Sequence, residues 1–127
     1  MTIGKIVAVI DDDENVRIAV VALVRSLGYQ ARGFSSALDY LASELCGSAD
    51  CLITDVQMPR LSGLDLHARL VAERRACPVV FITAFPEARA EARAKAFGAI
   101  GFLSKPFDAQ VMVQCIEQAL GPSPRTC

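Results

Sequence analysis

The chain has 127 residues, 53% of them apolar, with 13 basic and 14 acidic side chains and a formal charge of −1. That length suits one domain with one sizeable core. No run of about 18 apolar residues marks a membrane span, and neither a basic block nor an acidic tail marks a nucleic-acid face or a basic partner.

The opening "MTIGKIVAVI" lacks a charged leader and a small-residue cleavage site, so residues 5–10 read as a first strand, not a signal peptide. Val16, Val20, Leu23 and Leu27 then recur at helical spacing, and Gly28 stops that helix. "YQARGF" (29–34) alternates, as an edge strand with one wet face does. Ser35 or Ser36 caps the next helix, whose apolar stripe is expected at Leu38, Leu41 and Leu45. "CLIT" (51–54) is a short apolar run ending at Asp55, followed by the turn "DVQMPRLSG" with Pro59 and Gly63 as turn residues. Leu64, Leu66 and Leu70 mark a third helix, with His67 expected at its surface or partly packed. "PVVFIT" (78–83) is the most β-branched run. Residues 86–97 form an alanine-rich helix with Ala88, Ala92 and Ala96 expected on its inner face, ending at Gly98. "AIGFLS" (99–104) is the last strand, and Ala109, Val113, Ile116 and Leu120 mark the last helix. The domain is expected to span 1–121, with 122–127 a short flexible tail.

Of the five cysteines, Cys46, Cys51, Cys77 and Cys115 read as small apolar residues in a reducing cytoplasm, and Cys127 as an exposed thiol able to cross-link copies in air. No C-x-x-C spacing and a single histidine argue against zinc.

Five strands alternating with five helices predict an α/β fold with a doubly wound parallel sheet and right-handed crossovers. Runs 5–10, 51–54 and 78–83 are apolar on both faces and belong in the centre; the alternating second strand belongs at an edge. The order is therefore 2-1-3-4-5, the flavodoxin-like arrangement, which binds ligands beyond the strand C-termini where the winding reverses.

That rim collects the chemistry. Asp11 and Asp12 end strand 1 and Asp55 ends the neighbouring strand 3. At an effective dielectric near 20, two carboxylates about 5 Å apart repel by roughly 3 kcal/mol. Such a cluster does not serve stability. A bound cation removes the penalty, and oxygen ligands suit Mg²⁺, which favours one or two carboxylates plus a phosphate. Thr83 and Lys105 reach the same rim with a hydroxyl and an ammonium. Together these groups suit a phosphoryl group carried on an aspartate.

With "DDDEN", "DVQMPRLSG", "FITAF" and "GFLSKPF" at these positions, the chain resembles, over residues 5–120, the receiver domain of two-component response regulators. "DVQMPRLSGLDL" and "GFLSKPFD" look most like the FixJ-type subgroup. The resemblance implies Asp55 as phosphoacceptor. It implies Mg²⁺ held directly by Asp12, through water by Asp11, and by Asp55 and the Gln57 backbone carbonyl. Thr83 would move toward the phosphoryl group, Lys105 would pair with it, and Phe102 would change rotamer on activation. The Lys105–Pro106 bond would be cis. Three consecutive aspartates leave two registers for the acidic pair, and Arg17, in the family pattern D-D-E/D-x-x-x-R, favours 11/12. Asp13 then reads as a helix cap.

Position 102 is Phe where many relatives have Tyr, so a hydroxyl-mediated contact is absent. Ala84 is small enough to leave the acceptor accessible, and the bulky Phe85 is expected to slow water attack on the phosphoryl group. The alanine-rich helix 86–97 buries little area and is a candidate moving element, which would reshape the face of helix 4, strand 5 and helix 5.

The resulting expectation is a cytoplasmic signalling module with only self-catalysed phosphotransfer and autodephosphorylation. Its partners would be a histidine kinase or histidine phosphotransfer protein and a downstream protein, without direct nucleic-acid or membrane binding. It would be a monomer or a phosphorylation-dependent dimer. The chain is either a single-domain regulator or a piece of a longer one. A haloacid-dehalogenase-type phosphohydrolase would need a D-x-D nucleophile motif and usually a cap domain, for which there is no room. A receiver that works without phosphorylation would not need the full set of acids, Thr83 and Lys105.

Overall fold

The computed structural model describes residues 4–121; the expected tail 122–127 and the Cys127 thiol lie outside the described residues. Ten elements alternate: β1 (Ile6–Ile10), α1 (Glu14–Ser26), β2 (Gln30–Phe34), α2 (Ala37–Leu41), β3 (Cys51–Asp55), α3 (Gly63–Ala72), β4 (Val79–Thr83), α4 (Ala88–Ala96), β5 (Gly101–Ser104) and α5 (Ala109–Leu120). The strands form one sheet in the order β2-β1-β3-β4-β5, every pair parallel. The expected order holds because β3 and β4 are buried at every residue, and β1 at all but its first. A strand buried on both faces needs a neighbour on each side and a helical layer above and below.

Period-2 alternation divides each strand between two cores. Ala8, Ile10, Leu52 and Phe81 face one side and pack with Tyr40, Leu66, Leu70 and Ala94 of α2, α3 and α4. Val7, Val9, Ile53, Val80 and Ile82 face the other and pack with Val20, Val24, Met112 and Ile116 of α1 and α5. Burial pushes the Cys51 thiol up to about 12 and Cys77 up to about 11, so both stay protonated and behave as apolar filling. No helix among the described residues is long and apolar enough to cross a membrane.

Side-chain caps start four helices. Asp13, Ser36, Ser62 and Asp108 each accept a backbone N–H from the first turn of α1, α2, α3 and α5. Between the two candidate serines, Ser36 is the cap of α2. Glu87 precedes α4 and makes no side-chain cap bond.

Four expectations about packing are corrected. In α2 the helix ends at Leu41 and Leu38 is exposed, because Tyr40 turns inward to an edge-on contact with Phe34 and sets the phase. Leu45 is buried from the following turn. In α4 the inner residues are Ala90, Ala94 and, just after it, Phe97, while Ala88, Ala92 and Ala96 face outward. In α5 Ala109 is exposed and Met112 and Cys115 join Ile116 and Leu120 inside. His67 is 4% exposed, edge-on to Phe81 and Phe97 with ring centroids 5.9 and 5.0 Å away, so it forms part of the α3–β4–α4 core.

Two predictions follow from this packing. α4 lacks a cap bond and turns alanines inward, so backbone amides across 88–96 should exchange faster than those of α1 and α5; equal protection would contradict the loose hold. Burial holds the His67 imidazole below its usual range. The unfolded chain therefore binds the proton first, and stability falls as pH drops through the free-histidine value of about 6.5. The stability of His67→Phe relative to wild type should therefore rise as pH drops from about 7 to 5, as read in paired urea titrations.

Candidate functional site

Strand pairing builds the site. Ile10 pairs with Thr54, so the next residues, Asp11 and Asp55, emerge side by side. Asp55 pairs with Ile82, and Thr83 with Ser104, which brings the Thr83 hydroxyl and the Lys105 ammonium to the same rim. The Lys105 N–H donates to the Thr83 carbonyl at 2.7 Å, extending the ladder by one rung.

Asp11 is completely buried. Its N–H donates to the Phe34 carbonyl, Oδ1 accepts the Asp13 N–H at 2.8 Å, and Oδ2 forms an ion pair with Lys105 Nζ at 2.9 Å. Arg17 Nη1 donates to its carbonyl oxygen at 2.8 Å. The Arg17 stem lies against β2 at Gly33, where an added Cβ would stand 3.1 Å from Arg17 Cγ. Asp12 is exposed. Asp13 caps α1 through bonds from the Asn15 and Val16 N–H groups.

Asp55 is 4% exposed, with Oδ2 3.5 Å from Lys105 Nζ. Its Oδ1 is buried without a hydrogen-bond partner among the described residues. The chain returns tightly behind it. The Gly63 N–H donates to the Val56 carbonyl at 3.0 Å, and a Cβ on Gly63 would lie 2.2 Å from the Asp55 carbonyl oxygen. Glycine at position 63 thus lets the start of α3 close against the strand that presents Asp55.

Burial, then the Asp11 charge, push the Asp55 carboxyl up to about 6; Lys105 opposes them and Asp12 adds to them. Burial alone would lower the Lys105 pKa, but Asp11 and then Asp55 outweigh it and raise it, so the ammonium stays charged. One carboxylate oxygen from each of Asp11, Asp12 and Asp55 lies within 4.8 Å of the others. This all-oxygen set, with Asp55 Oδ1 lacking a partner, fits a hard divalent cation and offers nothing to a soft one.

Asp12, Asp13, Asp55, Gln57, Ala84, Phe85 and Lys105 line an open depression of about 390 Å³. Thr83 is buried beneath it, and its hydroxyl donates to Gln57 Oε1. The side chain of Gln57 was not singled out in the sequence, since a bond across 26 positions leaves no local pattern. Phe102 lies away from the acids, paired in register with Phe81 and packed in the core that includes Ala90, Ala94 and Phe97. The Lys105–Pro106 bond is cis.

The raised carboxyl of Asp55 has a consequence for stability. Its stabilising, protonated form is fully present below the ordinary value near 3.8 and is lost as pH rises through about 6. At pH 7 without metal the fold carries a charge it disfavours. Asp55→Asn should raise metal-free stability at pH 7 by about 1–2 kcal/mol. The gain should disappear toward pH 4, as read by thermal denaturation in chelator.

The family model of the response regulator receiver domain matches residues 7–117. The response regulator protein TmoT of Ectopseudomonas mendocina is 35% identical over 120 residues, which are 94% of this chain and 54% of that protein. The solved structure of the response regulator StyR superimposes with a TM-score of 0.82 at 37% identity, over 92% of this chain and 59% of that one. FixJ-N superimposes with a TM-score of 0.81 at 28% identity, over 100% of this chain and 98% of that one. The chain spans about half the length of the curated relatives it matches. The sheet order 2-1-3-4-5 of this chain, with its acids and lysine gathered at the switch point, accords with that match, and the chain belongs to the response regulator receiver domain family, the phosphoryl-accepting modules of two-component signalling.

Proposed function

We propose that Asp55 is the phosphoacceptor of this receiver; the observation carrying this reading is its buried carboxylate, whose Oδ2 lies beside the Lys105 ammonium while Oδ1 has no hydrogen-bond partner among the described residues. A carboxylate oxygen of Asp55 forms the new P–O bond. The P–N bond to the donor phosphohistidine breaks, and its electron pair leaves with the imidazole. Lys105, held 2.9 Å from Asp11 Oδ2, neutralises phosphoryl oxygens without having to be recruited from solvent. Thr83 supplies a hydroxyl from the end of β4. Asp11, Asp12, Asp55 and the Gln57 carbonyl would hold Mg²⁺, which would supply positive charge to offset the negative charge on the phosphoryl oxygens. Ala84 leaves the acceptor open to the donor, and Phe85, 68% exposed at the mouth, hinders water.

The donor in this reading is a histidine kinase or histidine phosphotransfer protein in the cytoplasm. The output is a change in the α4–β5–α5 face, where Phe102 lies beneath the loosely held α4. The domain occupies residues 1–121 and engages a downstream protein, with no nucleic acid or membrane of its own. It acts as a signalling module, with turnover limited to its own phosphotransfer and dephosphorylation.

Intact-mass analysis after incubation with acetyl phosphate provides the test. Wild type should gain one phosphoryl group only with Mg²⁺, and Asp55→Asn should gain none. Labelling of Asp55→Asn at the wild-type level would eliminate Asp55 as the acceptor.

A further inference from the structure

The Thr83 hydroxyl is already spoken for. The carbonyl of Phe85 accepts a bond from Gln57 Nε2 at 3.2 Å, and a carbonyl can only accept, so it fixes which way the Gln57 amide faces. Gln57 Oε1 must then face Thr83, and because Oε1 can only accept, Thr83 must donate. The Phe85 N–H donates to Thr83 Oγ1 at 3.1 Å and closes a ring of three hydrogen bonds. Thr83 has one hydroxyl proton, and the ring uses it.

We infer that the Gln57 side chain is a latch on the unphosphorylated state. It holds the Thr83 hydroxyl and the 83–85 backbone together, and competes with a phosphoryl group on Asp55 for the single Thr83 proton. The inference rests on the acceptor reading above. On phosphorylation a phosphoryl oxygen takes the proton that Gln57 Oε1 now accepts, and Oε1, at a half-buried position, turns to water. The exchange is therefore reversible and nearly balanced, as a switch requires. It also frees the segment that leads into α4, the helix with no cap bond of its own. Gln57 is in this sense a positioning residue for Thr83, one that acts by its side chain, whereas its proposed metal contact uses the backbone carbonyl.

Two measurements on Gln57→Met and on the shorter Gln57→Asn test the latch. In metal-free protein, hydrogen exchange of a peptide covering 83–88 should speed up at least about threefold in both variants, because the Phe85 carbonyl and the Thr83 hydroxyl lose their partner. Unchanged exchange would overturn the latch.

With Mg²⁺, calorimetric titration of the phosphoryl mimic beryllofluoride should give roughly fivefold tighter binding in Gln57→Met than in wild type, about 1 kcal/mol. In a Thr83→Val background the same Gln57 substitution should change affinity by less than about twofold, since no proton remains to compete for. An equal gain in both backgrounds, or weaker binding in Gln57→Met, would count against the competition. Thr83→Ser, which keeps the hydroxyl, should restore the Gln57 effect. Failure of wild type to bind beryllofluoride would sink the acceptor reading and the competition together, with the exchange difference left intact. Failure of the latch alone leaves wild-type binding in place and removes the exchange difference.

Discussion

Two carboxylates, Asp11 and Asp55, stand side by side at the end of adjacent strands with one ammonium, Lys105, against both. The rest of the molecule can be understood from this unbalanced triad. A lone pair of buried acids would be expelled or protonated. Lys105 makes the arrangement tolerable, and the Asp55 carboxyl, pushed up to about 6, records how incompletely it does so. The residual negative charge favours a hard cation beside it.

Holding that triad requires rigidity on one side. β1 and β3 are packed on both faces, α1 starts on the Asp13 cap, Arg17 clamps the Asp11 carbonyl, and Gly63 lets the chain close behind Asp55. The cost of like-charge proximity is met by burial in two cores, one on each side of the sheet.

The other side is built to yield. Beyond β4 the chain passes through Ala84 and Phe85, both exposed, into an uncapped helix that turns alanines toward the sheet. α4 is tied down by Phe97 against His67 and by the exposed Asp65–Arg93 ion pair at 2.8 Å, a kind of contact worth little in water. A change in where the Thr83 hydroxyl points thus meets little resistance downstream, while a change at Asp55 meets much. In the proposed reading, this asymmetry would let a local event at Asp55 become a change of surface.

The acids, Thr83 and Lys105 were legible because each terminates an apolar run, and apolar runs locate strand ends whatever the tertiary structure. The strand order was legible because burial on two faces leaves a different pattern from burial on one. The inner face of α4 was not: alanine occupies 88, 90, 92, 94 and 96, so two opposite faces carry the same residue, and packing against the sheet chose Ala90, Ala94 and Phe97. His67 did carry a signal, three positions from both Leu64 and Leu70, but its polarity masked it. In α2, five residues are too few to establish a phase, and Tyr40 against Phe34 set it. By itself, then, the sequence determined the alternation of elements, their order in the sheet and the groups at its rim, because those follow from local hydrophobic pattern. Only the tertiary structure decided that Gln57 holds Thr83, since that bond joins the turn after β3 to the end of β4, 26 positions apart, and depends on where two parallel strands bring them.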